Sequence, residues 1–390
     1  MAYVEKRGKD SFRLVVNAGF DEKGKRVRRT TTVQCKTKTE AKKELAKFVA
    51  EIEAGEYIAP NKMKFEAFVE EWKVKYARKQ LAPATYQNYI LHLKNRILPT
   101  FGHQQIDQIK PLHIISFLDA LNEVGSRSDG KEGSLSSGTI QYIHRILRNI
   151  FKRAVEWQVI KTSPVENVKK PKVETKKSNV YNDEQVRVLM EHLRKEDMKW
   201  KMIVTLAITT GMRRGEIVAL EWNHFDLEKG KLYVQQTLTY TKEDGHIFKT
   251  PKTKNSIRTI SLSSGVVEQL KRYKQIKNRE KLRNGDRWQG GERFLLFSTD
   301  EGKPMHPSSV TSWWSKRLKK YELPHITFHQ LRHTSAALLI NQGVHMKVIS
   351  ARLGHSKIGT TMDIYGHVLD SADEVAATHF DNLFDQKKTK

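Results

Sequence analysis

Five residues in the C-terminal half of the sequence have the types and the order that a metal-free attack on a phosphodiester calls for. That chemistry takes a nucleophile, cations on the non-bridging oxygens, a proton acceptor and an acid for the departing 5′-oxygen. The stretch Thr210 to Glu216 (TGMRRGE) sets Arg213 just past a glycine that can end a helix, so its guanidinium can point from a turn into a cleft. Phe328 to Thr334 (FHQLRHT) separates His329 and Arg332 by three residues, which puts them on one face of a helix. Leu353-Gly354-His355 precedes Tyr365 by ten residues, within Thr360 to His367 (TTMDIYGH). Singly, an arginine is an ordinary ion-pair partner and a tyrosine ordinary packing. The ordered set is what points to chemistry.

Arg, His-x-x-Arg, Gly-His and Tyr in this order, with TGMRRGE, HxLRHT and LGHS around them, closely resemble the signature of the tyrosine recombinase (phage integrase) family. The resemblance implies a role for each residue. Arg213 and Arg332 bracket the scissile phosphate, their planar forks suiting its oxygens better than ammonium groups would. His329 accepts a proton or donates to the phosphate, and His355 is a further donor. Glu216 orients Arg213. Tyr365 attacks and becomes a 3′-phosphotyrosine. Pro251 to Arg258 (PKTKNSIR) leads into a strand and resembles the segment that carries the family's hairpin lysine, which protonates the leaving 5′-hydroxyl. Lys252 is the reading taken, with Lys254 as the alternative. Members commonly have Asp where this sequence has Gln330, which can hydrogen-bond but carries no charge.

The resemblance implies neither cofactor nor metal. The ester retains the energy needed for religation, so no ATP is required, and the sequence has no Walker A, GxGxxG or HExxH motif. His325, His329 and His333, each four apart, raise a metal site as an alternative, but no carboxylate or cysteine completes the set.

The elements that must position these residues read as several domains, since 390 residues exceed one ordinary core. The expected fold class is multi-domain and mainly α with small β-sheets. Over 1–60, Ser11 to Val16 and Arg26 to Val33 look like strands and Thr39 to Ala54 like a helix. The resemblance makes this a small three-stranded-sheet-and-helix domain of the arm-binding type. Arg26, Arg28 and Arg29 sit on or beside a strand; they either reach into a DNA groove or guard a solvated edge.

Residues 61–170 read as all-helical, resembling the family's core-binding domain. Helices are expected over Phe65 to Lys79, from Pro83 to a stop before Pro99, over Pro111 to Asn122, and from Thr139 to about Trp157. The last carries an apolar stripe (Ile140, Ile143, Leu147, Ile150, Phe151, Ala154). Its other face holds Arg145, Arg148, Lys152 and Arg153, which are either phosphate contacts or ordinary solvated charge. Val168 to Ser178 (VKKPKVETKKS) reads as a linker, with 171–178 as the boundary segment. Residues 179–390 form the expected catalytic domain. Asn182 and Gln185 resemble a capping box, Met202 to Ala207 form a helix body ended by Gly211, and Lys231 to Thr239 and Ile257 to Leu262 alternate like strands. Lys242 to Ser256 reads as the polar connection between them.

Charge points to the partner. The 70 Lys and Arg against 44 Asp and Glu leave a net +26. Basic exceed acidic residues by 14 to 9 over 1–60, 21 to 11 over 61–178 and 35 to 24 over 179–390. A protein gripping a long polyanion with several domains needs that spread. Double-stranded DNA is therefore the expected partner, at arm and core sites. The resemblance adds a homo-tetramer on DNA and accessory bending or excision factors. No apolar run is long enough to span a bilayer and Met1 to Lys9 has no signal-peptide core, so a cytoplasmic site of action is expected. Cys35 is the single cysteine, which excludes an internal disulfide and cysteine-rich zinc sites. The expected function is integration and excision of a mobile element by site-specific recombination. The alternatives are a type IB topoisomerase-like relaxing enzyme and a DNA-binding regulator without catalysis.

Overall fold

The computed structural model describes residues 2–20, 26–53, 63–127, 132–173, 179–250, 256–355 and 359. The chain divides into two compact units, Met1–Thr175 and Lys176–Lys390.

The first unit opens with an antiparallel meander of β1 (Ala2–Lys6), β2 (Ser11–Phe20) and β3 (Arg26–Gln34), backed by α1 (Lys38–Glu53). Phe12, Cys35 and Ala41 form one apolar cluster between sheet and helix, and Leu14, Val16 and Phe48 another. The strand that composition did not reveal is β1. It is short and partly exposed, and what holds it is backbone pairing, with Tyr3 opposite Val15 and Val4 opposite Leu14.

Beyond this sheet and helix, the regular structure among the described residues of this unit is helical. α2 (Phe65–Trp72) runs through a π turn, Lys73–Ala77, into Arg78–Gln80. α3 (Pro83–His92) starts on a proline in its first turn and continues through a second π turn, Leu93–Ile97, into Leu98–Phe101. The stop expected before Pro99 is therefore absent. Pro99 falls in the first turn of the last segment, where its missing N–H leaves no essential bond unmade. α4 (Pro111–Ala120) follows, then α5 (Ser137–Glu156), whose Ser136 cap accepts from the Thr139 N–H at 3.3 Å.

α5 is the spine of the helical core. Ile140, Ile143, Ile146, Leu147, Ile150, Phe151 and Ala154 are all buried, as its 3.6-residue stripe predicts, and each large side chain contributes about 1.5–3 kcal/mol. Phe151 stacks on Phe65 at 5.4 Å, Trp72 stacks on Tyr89 at 6.2 Å, and the Trp72 indole N–H donates to Asn149 at 3.1 Å. The start of the expected linker belongs to this core: Val168 is buried and Gln141 donates to the Pro171 carbonyl at 2.8 Å.

In the second unit, the reciprocal bonds of Asn182 and Gln185 (2.8 and 3.1 Å) open α6 (Asp183–Leu193). The central helix α7 (Met198–Thr210) is buried along most of its length, and α8 (Arg214–Ile217) follows it. Strands β4 (Phe225–Asp226) and β5 (Lys231–Val234) come next, then the hairpin β6 (Thr237–Thr241) and β7 (Gly245–Lys249), then β8 (Arg258–Ser261). The sheets are β4-β5-β8 and β6-β7.

The single strand expected over Lys231 to Thr239 is thus two strands in different sheets. Gln236 causes the break by donating to the Ala219 carbonyl at 2.6 Å and to Glu221 at 2.8 Å. The polar connection expected over Lys242 to Ser256 contains β7. Helices α9 (Ser264–Asn284), α10 (Pro307–Tyr321), α11 (Gln330–Asn341) and α12 (Met346–Leu353) complete the described part. Among the described residues no helix is long and apolar enough to cross a membrane.

Candidate active site

The end of α7 is where the site begins. Gly211 ends that helix at φ +63°, in the left-handed region that glycine enters without strain. A Cβ there would stand 2.3 Å from the Leu353 side chain, so the last residue of α12 packs directly on this glycine. Its carbonyl also accepts from Arg332 of α11 at 2.7 Å, and Arg332 is buried. One glycine thereby joins the ends of α7 and α12 to the arginine of the His-x-x-Arg pair.

Two residues on, Arg213 is extended and opens α8. Glu216 reaches back to it twice, accepting from the Arg213 backbone N–H at 3.0 Å and from its guanidinium at 2.8 Å. The Glu216 side chain is 3% exposed while that of Arg213 is 41% exposed, so the carboxylate anchors an arginine that reaches toward solvent. Arg258 of β8 holds the other side of the same carboxylate at 2.9 Å. Burial alone pushes the Glu216 carboxyl up, but the Arg258 bond and charge, followed by those of Arg213, hold it below the ordinary carboxylate range.

Three imidazoles join the arginines. The His329 and His333 rings meet edge to face at 5.2 Å, and His355 follows Gly354, which ends α12 at φ +70°. Burial, then the charges of Arg332, Arg213 and Arg214, hold His329 below its ordinary value against the pull of Glu216. His333 is pushed down to about 4 by burial, then by His329 and Arg332. His355 is also pushed down to about 4, by burial, then by Arg332, Arg213, His333 and Arg258. At neutral pH the site therefore holds fixed cations beside neutral rings. Guanidinium charge can meet a phosphate while an imidazole takes or gives a proton.

Arg213, His329, Arg332 and His355 are thus brought together. Tyr365, Lys252 and its alternative Lys254 lie outside the described residues. Among the described residues no group of His, Cys, Asp and Glu is arranged to hold a metal ion. Gln330 spends its side chain on backbone groups. It accepts from the Thr327 N–H at 2.6 Å and donates to the Asn179 carbonyl at 3.1 Å, a donation that an ionised Asp could not make.

The other expected DNA contacts divide. Arg26 lies in β3 opposite Phe20, with its side chain outside the described set; Arg28 and Arg29 are exposed, and as adjacent strand residues they point to opposite faces. On α5, Arg145 and Arg148 are exposed and Arg145 lies 5.7 Å from the Tyr142 ring. Lys152 is exposed and only loosely paired with Glu156 at 3.8 Å, whereas Arg153 pairs closely with Glu156 and stacks on Tyr76 at 4.4 Å, so Arg153 is largely engaged within the unit. Reading the sequence alone left Arg258 without a part in the site, and gave His333 one only in the metal alternative. Arg258 closes the stretch that holds Lys252, which is the one signal that marks its place.

Comparison with known proteins bears on the family and the fold. Residues 179–372 match the Phage integrase family and residues 64–122 match its N-terminal SAM-like domain. The chain is 30% identical to "Tyrosine recombinase XerC-like" of Caldanaerobacter subterraneus subsp. tengcongensis, over 97% of this chain and 98% of that one. It is 29% identical to "ICEBs1 integrase" of Bacillus subtilis (strain 168), over 77% and 78%. Among solved structures, a part of the Tn1549 transposon integrase in complex with a circular intermediate DNA superposes with a TM-score of 0.63 at 21% identity, over 80% of this chain and 97% of that one. A lambda integrase dimer bound to a COC′ core site superposes with a TM-score of 0.56 at 18% identity, over 93% and 95%. At these identities the structures show a shared fold.

Proposed function

The chain belongs to the phage integrase family of tyrosine recombinases, enzymes that cleave and rejoin DNA, and we propose that it integrates and excises a mobile element with Tyr365 as the nucleophile. The observation that carries this reading is the convergence of Arg213, Arg332, His329 and His355 on one cationic cluster in the part of the chain that precedes Tyr365. Fixed guanidinium charge beside neutral imidazoles supplies both charge for a phosphate and a place for a proton, and binding alone calls only for the first.

The Tyr365 oxygen attacks phosphorus as His329 accepts the phenolic proton. Arg213 and Arg332 meet the charge that grows on the non-bridging oxygens, the kind of electrostatic stabilisation that is usually the largest contribution to such a rate. The P–O5′ bond breaks, Lys252 supplies the proton to the departing 5′-hydroxyl, and DNA remains joined to the enzyme through a 3′-phosphotyrosine. Attack by another 5′-hydroxyl reverses each step and rejoins the strand without ATP. Residues 61–170 grip core-type DNA, residues 1–60 grip arm-type DNA, and 171–178 link the former to the catalytic domain at 179–390. Four copies act together on two sites through a Holliday junction, with accessory bending or excision factors, in the cytoplasm where the element's DNA lies.

A nicked suicide substrate carrying an end of the element tests the core of this. Wild type should accumulate a covalent protein–DNA adduct and Tyr365→Phe none. No adduct from wild type, or an equal one from Tyr365→Phe, rules the mechanism out. Paired sites in one assay separate recombination from simple relaxation of supercoils.

A further inference from the structure

Arg258 has more partners in the site than any reacting group needs. Its side chain is 6% exposed. Nη2 donates to Glu216 Oε2 at 2.9 Å and Nη1 to Glu216 Oε1 at 3.4 Å, Nε donates to the Arg352 carbonyl at 2.7 Å, and Nη1 also donates to the Ser256 carbonyl at 3.0 Å. These partners sit on three separate segments. Glu216 holds Arg213, Arg352 lies three residues before His355, and Ser256 lies four residues after Lys252 in the same stretch.

The geometry fixes the carboxylate of Glu216. Oε1 takes Arg213 Nη1 and Arg258 Nη1; Oε2 takes the Arg213 backbone N–H and Arg258 Nη2. With both oxygens claimed from two sides, the carboxylate is held in one orientation and offers the Arg213 guanidinium an acceptor in a fixed place. A planar fork makes this possible, because its N–H directions are set by resonance. An ammonium group would pair with Glu216 as a point charge and could not reach the Arg352 carbonyl at the same time.

Resting on the reading of Arg213 and His355 as phosphate-facing groups, we propose that Arg258 is a positioning residue that holds Arg213, through Glu216, and His355, through the end of α12, in one frame around the scissile phosphate. It touches no reacting atom. Its effect is on the placement of two groups that do, and a misplacement of about 1 Å can cost about 100-fold in rate.

The test uses the full chain on the nicked suicide substrate, reading the single-turnover rate of adduct formation at saturating protein, the site Kd and the melting temperature. Arg258→Lys keeps the buried charge and the fold while losing the fork. It should form adduct about 10- to 100-fold more slowly, with Kd within about threefold of wild type and a melting temperature only a few degrees lower, the cost of the carbonyl left unpaired. Because Arg258 works through Glu216, the double variant Arg258→Lys/Glu216→Gln should be no more than about threefold slower than the slower single variant, as expected for coupled residues. A rate for Arg258→Lys within threefold of wild type overturns the proposal. So does a loss that shows in Kd or melting temperature instead of rate, or losses that multiply in the double variant. Absence of adduct from wild type would instead overturn the recombinase mechanism itself.

Discussion

His333 carries no assigned role, yet it stands against His329 and within reach of Arg332, which makes it a probe of how the site is held neutral. Its folded pKa of about 4 lies below the ordinary value of about 6.5, so the unfolded chain takes the proton first as pH falls. The contribution to stability is intact above about pH 6.5, is lost as pH falls toward 4, and is level below that. Between pH 7 and 5 the loss is roughly 1–2 kcal/mol per such histidine, with solvent screening favouring the lower end. His355, facing Arg332, Arg213, His333 and Arg258, behaves in the same way. Wild type should therefore melt several degrees lower at pH 5 than at pH 7, and His333→Gln should narrow that gap by about 2–4 °C. An equal gap in both proteins would mean that His333 is no more shielded than a surface histidine. That His333 belongs to the site was not legible from FHQLRHT, because its meaning lies in contacts with groups whose charge arrives from elsewhere in the chain. Arg258 is the stronger case, since its partners lie 42 and 94 residues away.

Among the elements, the joint at Gly211 ties α7, α11 and α12 together. Gly211→Ala meets two penalties there, a backbone at φ +63° and a methyl group 2.3 Å from the Leu353 side chain. The left-handed conformation alone costs a non-glycine residue about 1–2 kcal/mol, and relief of the clash moves either α12 or the carbonyl that receives Arg332. The expected result is a loss of about 2–4 kcal/mol of stability, measured by urea denaturation, together with slower adduct formation. Stability and rate both within error of wild type would show that the joint relaxes freely. Features written in neighbouring residues were legible in the sequence: the Asn182 and Gln185 box, the glycine stop of α7 and the stripe of α5. Those set by distant partners were not. Gln236 breaks the Lys231 to Thr239 run by reaching Ala219 and Glu221, and the π turn of Leu93–Ile97 carries the chain past Pro99, where sequence rules placed a stop.

For the whole molecule the governing quantity is charge and its spread. The excess of basic residues occurs in 1–60, 61–178 and 179–390 alike, so no single tail or helix accounts for +26. If each region meets phosphates, the contacts sum, and each neutralised phosphate releases condensed counterions on binding. With about eight phosphates engaged, log K should fall against log[salt] with a slope near −7, which amounts to a loss of roughly 10³ to 10⁵ in affinity between 50 and 200 mM salt. Arg153 is held by Glu156 and Tyr76, so replacing it should leave that slope nearly unchanged, whereas replacing the exposed Arg145 and Arg148 together should lower its magnitude by about 2. The measurement is a gel-shift or anisotropy titration of the cognate duplex at five or more salt concentrations. A slope shallower than about −3 would confine phosphate contact to one region of the chain and remove the reason for spreading charge over all three. A steep slope that Arg145 and Arg148 do not affect would keep the multi-region grip but take α5 out of it, leaving those arginines as ordinary solvated charge.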